Sequence, residues 1–491
     1  MAESVAKEAK VIARHTAVYG LANVLDRAIS FLMLPVYTRF LTPSDYGILE
    51  LIHMTVTLMA VTLGLGIEAA VSRFYFDHEG TEKRNLVVSS ALLGYSAVAC
   101  LFVIAILPFS GTFARLILDS TDLGHLFAVA LIGLGVSFIQ PINLAYLRVR
   151  QKSGTLMAVQ VSKSLFGLSL IILLVVVKEM GVYGVLLGTM ISDLTATVVL
   201  TAITLRRTKL RVDWSLLKAM IKFGLPLVPS NLSAYIVQAS DRWFVKEYVN
   251  MTYTGLYSIG YKFGTLVHQF VTSPFIQIWT PRRFEHFNRE GSEYVFARIF
   301  TYFCAVSLFV GLMISLLAKE TIRIMTTEAF YSAYQVVPVI VLAYIVFSFH
   351  YHFNIGILMK KATKYIAYIN VANGILNLIL NVILIRQFGI WGAAFATLIC
   401  FVFKASLTFY FSNRFYRILI EWRRLIILFG GAFALYFSGS LIDTGSLWID
   451  IAAKVAVGLS YPVLLYLMRM FDSSELAKLK EILRTRRLNL D

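Results

Sequence analysis

Polar side chains set at helical intervals inside long apolar runs carry the chemistry open to this chain. A polar group facing lipid is expensive, whereas one lining an aqueous cavity is not. Asn231, Tyr235, Gln238 and Arg242 share one helical face, and Thr16, Tyr19, Asn23, Arg27 and Ser30 share another near the N-terminus. Asn370, Asn373, Asn377 and Asn381 form a third stripe. A row of amides can donate to and accept from sugar hydroxyls, and it can equally tie helices together.

Lone charges inside the apolar runs add a second theme. Arg27, Lys163, Lys222, Arg242, Lys262, Arg298, Lys404 and Lys454 are basic, against the acids Asp26, Glu50, Glu68, Asp193 and Asp241. The excess of bases favours an anionic cargo, and phosphate is the natural partner of arginine and lysine. Arg27, Lys163 and Lys262 lie deeper in their runs and are candidates for lining a cavity. Lys222, Arg298 and Lys454 lie near the ends of their runs, where they can snorkel to the interface.

Glu50, Glu68 and Asp241 are candidates for binding a coupling ion, H+ or Na+, with satisfied interhelical ion pairs as the structural alternative. Glu50, Thr57 and Glu68 share one face of the second apolar run, because the spacing from 50 to 68 is a whole number of turns. The adjacent pairs Asp26-Arg27 and Asp241-Arg242 look alike. Helix neighbours point about 100 degrees apart and do not face each other, so that likeness reads as accidental.

The elements that must position these residues are membrane helices. The 491-residue chain is 58% hydrophobic and only 15% charged, with a mean hydropathy of +0.73. Apolar stretches of about 20 residues, each able to cross the bilayer as a helix, recur about fourteen times from residue 14 to residue 469. The fold class is therefore an all-α integral membrane protein. The first stretch is too long for a cleavable signal and contains Arg27, with no small-residue cleavage site after it.

Composition also excludes function classes. Cys100, Cys304 and Cys400 lie in apolar runs without paired spacing, so neither disulfides nor a metal site is expected. There is no Asp-x-Asp, no phosphate-binding glycine loop and no extramembrane block large enough to fold alone, which argues against an enzyme and against a cofactor. The net charge of +17 follows topology rather than nucleic acid. Sorted by alternate loops, 30 basic residues fall on one side and 7 on the other, which puts both termini in the cytoplasm. Lys478, Lys480, Arg484, Arg486 and Arg487 read as a short basic helix lying on the cytoplasmic membrane surface.

A step of 208 residues repeats the plan of the chain. It carries Asn23 to Asn231, Gly47 to Gly255, Lys152 to Lys360, and Gly181-Val-Tyr-Gly184 to Gly389-Ile-Trp-Gly392. Two pseudo-symmetric lobes of six helices follow, residues 11–206 and 215–414, in the same orientation. The basic linker Arg206, Arg207, Lys209 and Arg211 joins them. Two further helices occupy 422–470, and a basic tail 471–491. Pro35, Pro226, Pro229 and Pro274 should bend or break their helices.

Pro35-Val-Tyr-Thr-Arg-Phe-Leu-Thr-Pro-Ser-Asp-Tyr-Gly47, Pro226-Leu-Val-Pro229, Asp241-Arg242 and Tyr253-Thr-Gly-Leu-Tyr257 resemble the polysaccharide-repeat (O-antigen type) flippases of bacterial cell membranes. These belong to the exporter superfamily that also holds multidrug and toxic compound exporters and the lipid II flippase. The resemblance implies an anionic lipid-linked (polyprenyl-pyrophosphate) oligosaccharide, turned from the cytoplasmic to the outer leaflet by alternating access for cell-surface polysaccharide biosynthesis, with Arg27, Lys163, Lys262 and Arg242 as the positions that would meet the pyrophosphate. Polysaccharide polymerase and glycosyltransferases are the partners this implies. A cation-coupled multidrug exporter and a lipid II flippase are the alternatives within the superfamily.

Overall fold

The computed structural model describes residues 31–468 and 470, except Asn288. Asn23, Arg27 and the expected surface helix of the basic tail lie outside these residues. Among the described residues all regular structure is helical. The first half runs as α1 (Pro43–Leu63), α2 (Ile67–Asp77), α3 (Thr81–Ile106), α4 (Gly124–Ser137), α5 (Gln140–Val149), α6 (Ser153–Ile172) and α7 (Gly181–Leu205). There follow α8 (Trp214–Gly224), α9 (Val228–Tyr248), α10 (Met251–Val267), α11 (Ser273–His286), α12 (Ser292–Met325) and α13 (Val337–Phe353). The 50-residue α14 (Lys364–Asn413), α15 (Trp422–Ser440) and α16 (Leu447–Leu467) complete the helices of ten or more residues, beside the shorter Leu34–Phe40, Ser110–Leu118 and Ile355–Met359.

Nine helical segments among the described residues are long and apolar enough to cross a membrane. One of them, α14, departs from helical geometry at Gly389 (φ 56, ψ −131) and so carries two of the expected crossings. Helix α9 is not among the nine, because Asn231, Gln238, Asp241 and Arg242 dilute its apolar character.

Packing divides the chain into two units. The first runs to Ile259 and includes Met325–Ser332 and Ala367–Cys400; the second comprises Gly260–Ile324, Ala333–Ile366 and the chain from Phe401. This partition follows contacts rather than the repeat, since α9 packs within the first unit against α1.

The sequence motif beginning at Leu41 explains that packing. Thr42 caps α1: its hydroxyl accepts from the Asp45 amide at 3.1 Å while Asp45 accepts from the Thr42 amide at 3.0 Å, with Pro43 in the first turn. At the position 208 residues on, the Asn250 side chain accepts from the Tyr253 amide at 2.9 Å where α10 begins. Gly47 and Gly255, also 208 apart, then meet directly. A methyl group at Gly255 would strike the Pro43 carbonyl oxygen and lie 3.1 Å from the Gly47 nitrogen. Small residues permit this close approach of two backbones, and a third side of the contact is closed by Tyr46 against Phe330, 6.4 Å between ring centres.

The repeat is visible in backbone conformation too, with one change of register. Gly181 (φ 53) and Gly389 (φ 56) share the left-handed conformation at the step of 208, an arrangement for which glycine has no steric penalty. Lys152 and Lys360, by contrast, are not equivalent. The left-handed residues are Gln151 (φ 55) and Lys361 (φ 53), and the amides of Lys152 and Ala362 close the same turn onto Leu147 and Ile357. The step here is 210, so two extra residues have entered the second half before this turn and been offset by Gly389.

Loops of alternate parity gather at common ends within each unit. In the first, Asn85 donates to the Arg207 carbonyl at 2.9 Å, Arg84 lies over the Tyr75 ring, and Tyr75 packs edge-on to Tyr146. Lys246 pairs with Asp119 at 2.5 Å and Arg386 lies over Tyr248 among loops of the opposite parity. In the second, Phe287 and Ser292 meet Tyr416, while Lys319 bonds Asp443 at 2.7 Å and holds that carboxyl below its ordinary range.

Lys454 does not snorkel. It is 4% exposed and pairs at 2.5 Å with Oε1 of Glu320 of α12, itself 1% exposed, so the two charges meet inside the second unit while Glu320 Oε2 stays buried without a hydrogen-bond partner.

Two stability measurements test this packing. Gly255→Val should lower stability by about 3 kcal/mol through overpacking and depress the melting temperature of the detergent-solubilised protein, while Gly154→Ala, in open space, should leave it unchanged. Glu320→Met alone should cost about 3–5 kcal/mol by stranding Lys454, and the double change Glu320→Met with Lys454→Met should recover most of that loss in a double-mutant cycle.

Candidate functional site

Helix α9 holds the densest set of candidate residues, and two prolines position it. Pro226 sits in the 3-10 turn Leu225–Leu227, and Pro229 lies in the first turn of α9 itself. The turn packs against the break between α1 and α2: a methyl group at Gly66 would lie 3.0 Å from the Gly224 carbonyl oxygen. That break, at Leu65 (φ 43) and Gly66 (φ 63), also corrects the expectation for the acids. Glu50 is on α1 and Glu68 on α2, so no single face carries both; helical periodicity does not propagate through left-handed residues.

The outward face of α9 presents Asn231 and Gln238, both exposed, and half-buried Tyr235, whose hydroxyl donates to the Met54 carbonyl at 3.1 Å. Arg242, one turn further, is drawn inward to 8% exposure. Its guanidinium donates to Asp241 Oδ1 at 2.8 Å and to the Gln238 carbonyl, and it lies over the Tyr257 ring. Asp241 is fully buried and accepts from the Tyr257 hydroxyl of α10 through its other oxygen, at 2.5 Å. Adjacent helix positions therefore do pair here: the long arginine side chain curls back, bridging the 100 degrees that separates the two Cβ directions.

The opposite side of α9 meets the asparagine row of α14. Asn370 donates to Ser230 Oγ at 3.1 Å, and Asn381 donates to Ser240 Oγ at 3.2 Å and to Asn377 Oδ1 at 3.2 Å. Ser240 donates to Asn377 Oδ1 at 3.0 Å. Gly374 lets the helices close, since a methyl group there would lie 3.3 Å from the Ser233 Cβ. Asn373, Asn377 and Asn381 are buried, and each retains one buried polar atom without a hydrogen-bond partner, as does Thr397 Oγ1. The row thus serves as an interhelical seam with spare oxygen and nitrogen atoms along it.

Lys163 and the two acids lie elsewhere in the first unit. Lys163 Nζ is 2.5 Å from Asp193 Oδ1 and 3.2 Å from Gln140 Oε1, with about a third of its side chain exposed. Gln140 in turn donates to Thr197 Oγ1 at 2.9 Å, so the group links α5, α6 and α7. Glu68, half exposed, pairs with Arg148; Glu50 is half-buried on α1. Lys262 belongs to the second unit, where it is exposed on α10.

The second unit contains a polar constellation of which only Lys404 stands out in the sequence. Arg283 is 5% exposed and donates to the Tyr351 carbonyl at 2.6 Å and to Asn354 Oδ1 at 2.8 Å. His352 stacks on Phe300, with ring centres 4.8 Å apart, and Lys404 lies 4.9 Å over the Phe347 ring. The alternation His350-Tyr-His352 in an apolar run was the available signal. Ser230, Ser240 and Tyr257 were likewise missed, because a hydroxyl beside an amide is detected only once two helices are placed together.

Comparison with known proteins agrees with this architecture. The family described as polysaccharide biosynthesis protein matches residues 36–285, about half of the chain. A search of curated proteins finds no match. Among solved structures the fold is similar to the lipid II flippase MurJ in an inward closed conformation, with a TM-score of 0.75 and 15% identity over 93% of this chain and 100% of that one. It is also similar to an inward-facing multidrug resistance MATE family transporter of the MOP superfamily, with a TM-score of 0.63 and 14% identity over 80% and 97% of the two chains. The chain is a multi-pass helical membrane protein with the fold of the MOP exporters, and it belongs to the polysaccharide biosynthesis protein family.

Proposed function

We propose that this protein flips a polyprenyl-pyrophosphate-linked oligosaccharide from the cytoplasmic to the outer leaflet of a bacterial cell membrane, by alternating access of the lobes 11–206 and 215–414. The observation that carries the reading is the family match over residues 36–285, which ties an exporter fold to polysaccharide biosynthesis. The excess of bases over acids within the spans supports an anionic cargo. A lipid-linked glycan presents two chemistries, a pyrophosphate and a run of hydroxyls, and the chain offers groups suited to each.

Arg27 and Lys262 are the proposed pyrophosphate contacts. Lys163 and Arg242 hold carboxylates in the described state, so either would have to exchange its partner for the cargo. Asn231, Tyr235 and Gln238 suit glycan hydroxyls, being exposed or half-buried along one face of α9. Asn370 and Asn377 act mainly by holding α9 to α14, which keeps that face in place, and Asn373 lies buried in the same row.

Asp241 is the proposed coupling residue. A buried carboxylate held by one arginine and one tyrosine can exchange those partners for H+ or Na+, and the same helix that presents the glycan face would feel the change. Polysaccharide polymerase and glycosyltransferases would supply and consume the flipped lipid.

Reconstitution into proteoliposomes tests the reading directly. Wild-type protein should expose a polyprenyl-pyrophosphate glycan to an added lectin over time, and Arg27→Ala with Lys262→Ala should slow exposure at least about tenfold. Full-rate exposure by the stable variant would refute the contacts, and transport of a cationic dye in place of the glycan would favour a multidrug exporter. Separately, Asp241→Asn should remove the dependence of the rate on an imposed H+ or Na+ gradient. Retained dependence would exclude Asp241 as the coupling residue.

A further inference from the structure

The linker between the two halves does more than connect them. Residues 207–213 fold back along the first turns of α3, and the backbone of the linker is fastened there by three side chains. Asn85 donates to the Arg207 carbonyl at 2.9 Å, Ser89 donates to the Arg211 carbonyl at 2.9 Å, and Ser90 accepts from the Asp213 amide at 2.9 Å. With its carbonyls and an amide held inward, the linker turns its charged side chains into a cleft of about 490 Å³. Lys83 of α3 and Arg207, Lys209 and Arg211 of the linker line this cleft together with a single carboxylate, Glu82. Glu82 lies 3.4 Å from Arg211 and is 82% exposed, too screened to neutralise the group.

We propose that this cleft binds the phosphate headgroup of an anionic phospholipid. Four basic groups on a fixed backbone suit a phosphate, and arginine in particular matches its oxygens with paired donors. The apolar neighbours point to a lipid as the source. Leu210 stands between two of the basic residues and is 65% exposed, and Trp214, at the start of α8, is 71% exposed. An exposed leucine in a basic segment gains by contact with acyl chains, and an exposed tryptophan beside it matches the interfacial aromatic belt. The cleft also sits where α3 begins and α7 has just ended, at the ends of two helices long and apolar enough to cross a membrane. Its side is the one assigned to the cytoplasm, whose leaflet carries anionic lipid. The site stands apart from the glycan face of α9 and does not depend on the flippase reading.

The test uses purified full-length protein in detergent, titrated with phosphatidylglycerol, phosphatidylcholine or inorganic phosphate, with bound lipid counted by native mass spectrometry and melting temperature recorded alongside. Wild-type protein should retain and be stabilised by phosphatidylglycerol alone. The variant Lys83→Gln, Arg207→Gln, Lys209→Gln, Arg211→Gln should lose at least about tenfold in affinity while melting unchanged in phosphatidylcholine, because the backbone anchors on Asn85, Ser89 and Ser90 are untouched. Should that variant fail to fold, Lys83→Gln with Lys209→Gln, both exposed, reads the same loss. A control set, Lys360→Gln, Lys361→Gln, Lys364→Gln and Arg417→Gln, should bind as wild type; an equal loss there means diffuse attraction and overturns the site. Equal stabilisation by inorganic phosphate would overturn the lipid as its occupant.

Discussion

Hydrocarbon supplies no hydrogen-bond partner, so every polar group that α9 carries into the membrane must be satisfied by protein or face water, and that constraint organises the first unit. One side of α9 is absorbed by the asparagines of α14 through Ser230 and Ser240. Its end is absorbed by Tyr257, which accepts the burial of Asp241 by bonding it. The remaining side keeps Asn231 and Gln238 exposed. These few are the polar groups of α9 that its neighbours leave uncovered, and they are the ones proposed above to meet cargo.

The close contact of Gly47 with Gly255 makes this arrangement possible. The backbones of α1 and α10 approach without side chains between them, which brings Tyr257 within reach of Asp241 and sets Tyr235 against Met54. Both glycines follow a capped helix start, Thr42 with Asp45 in one half and Asn250 in the other. The residues that mark family membership in the sequence are thus caps and a helix crossing. Their chemistry is structural, which explains why they identify the family well and say little about the cargo.

Breaks in the helices have a comparable logic. The left-handed residues Leu65 and Gly66 interrupt the second expected crossing at the point where Pro226 interrupts the seventh, and the two irregular segments pack together. Irregular backbone at such depth needs protein around it, and two breaks side by side provide that for each other. The separation of Glu50 from Glu68 follows from the same feature, as does the pairing of Glu68 with Arg148 instead of with anything on α1.

The sequence by itself determined the membrane-helical class, the doubling of the chain and the grouping of alternate loops, because these depend on composition and on spacing along one strand of chain. Gly181 and Gly389 illustrate this, since their left-handed conformation is legible from glycine placed after an apolar run. Which charge meets which was decided only by tertiary structure. Lys163 with Asp193, Lys454 with Glu320 and Asn377 with Ser240 each join residues on different helices. Helix periodicity states the direction of a side chain and not what stands opposite it. The two-residue slip at Gln151 and Lys361, and the fold of the linker onto Asn85 and Ser89, were invisible for the same reason: hydrogen bonds between distant segments fixed them, and one-dimensional spacing contains no trace of such partners.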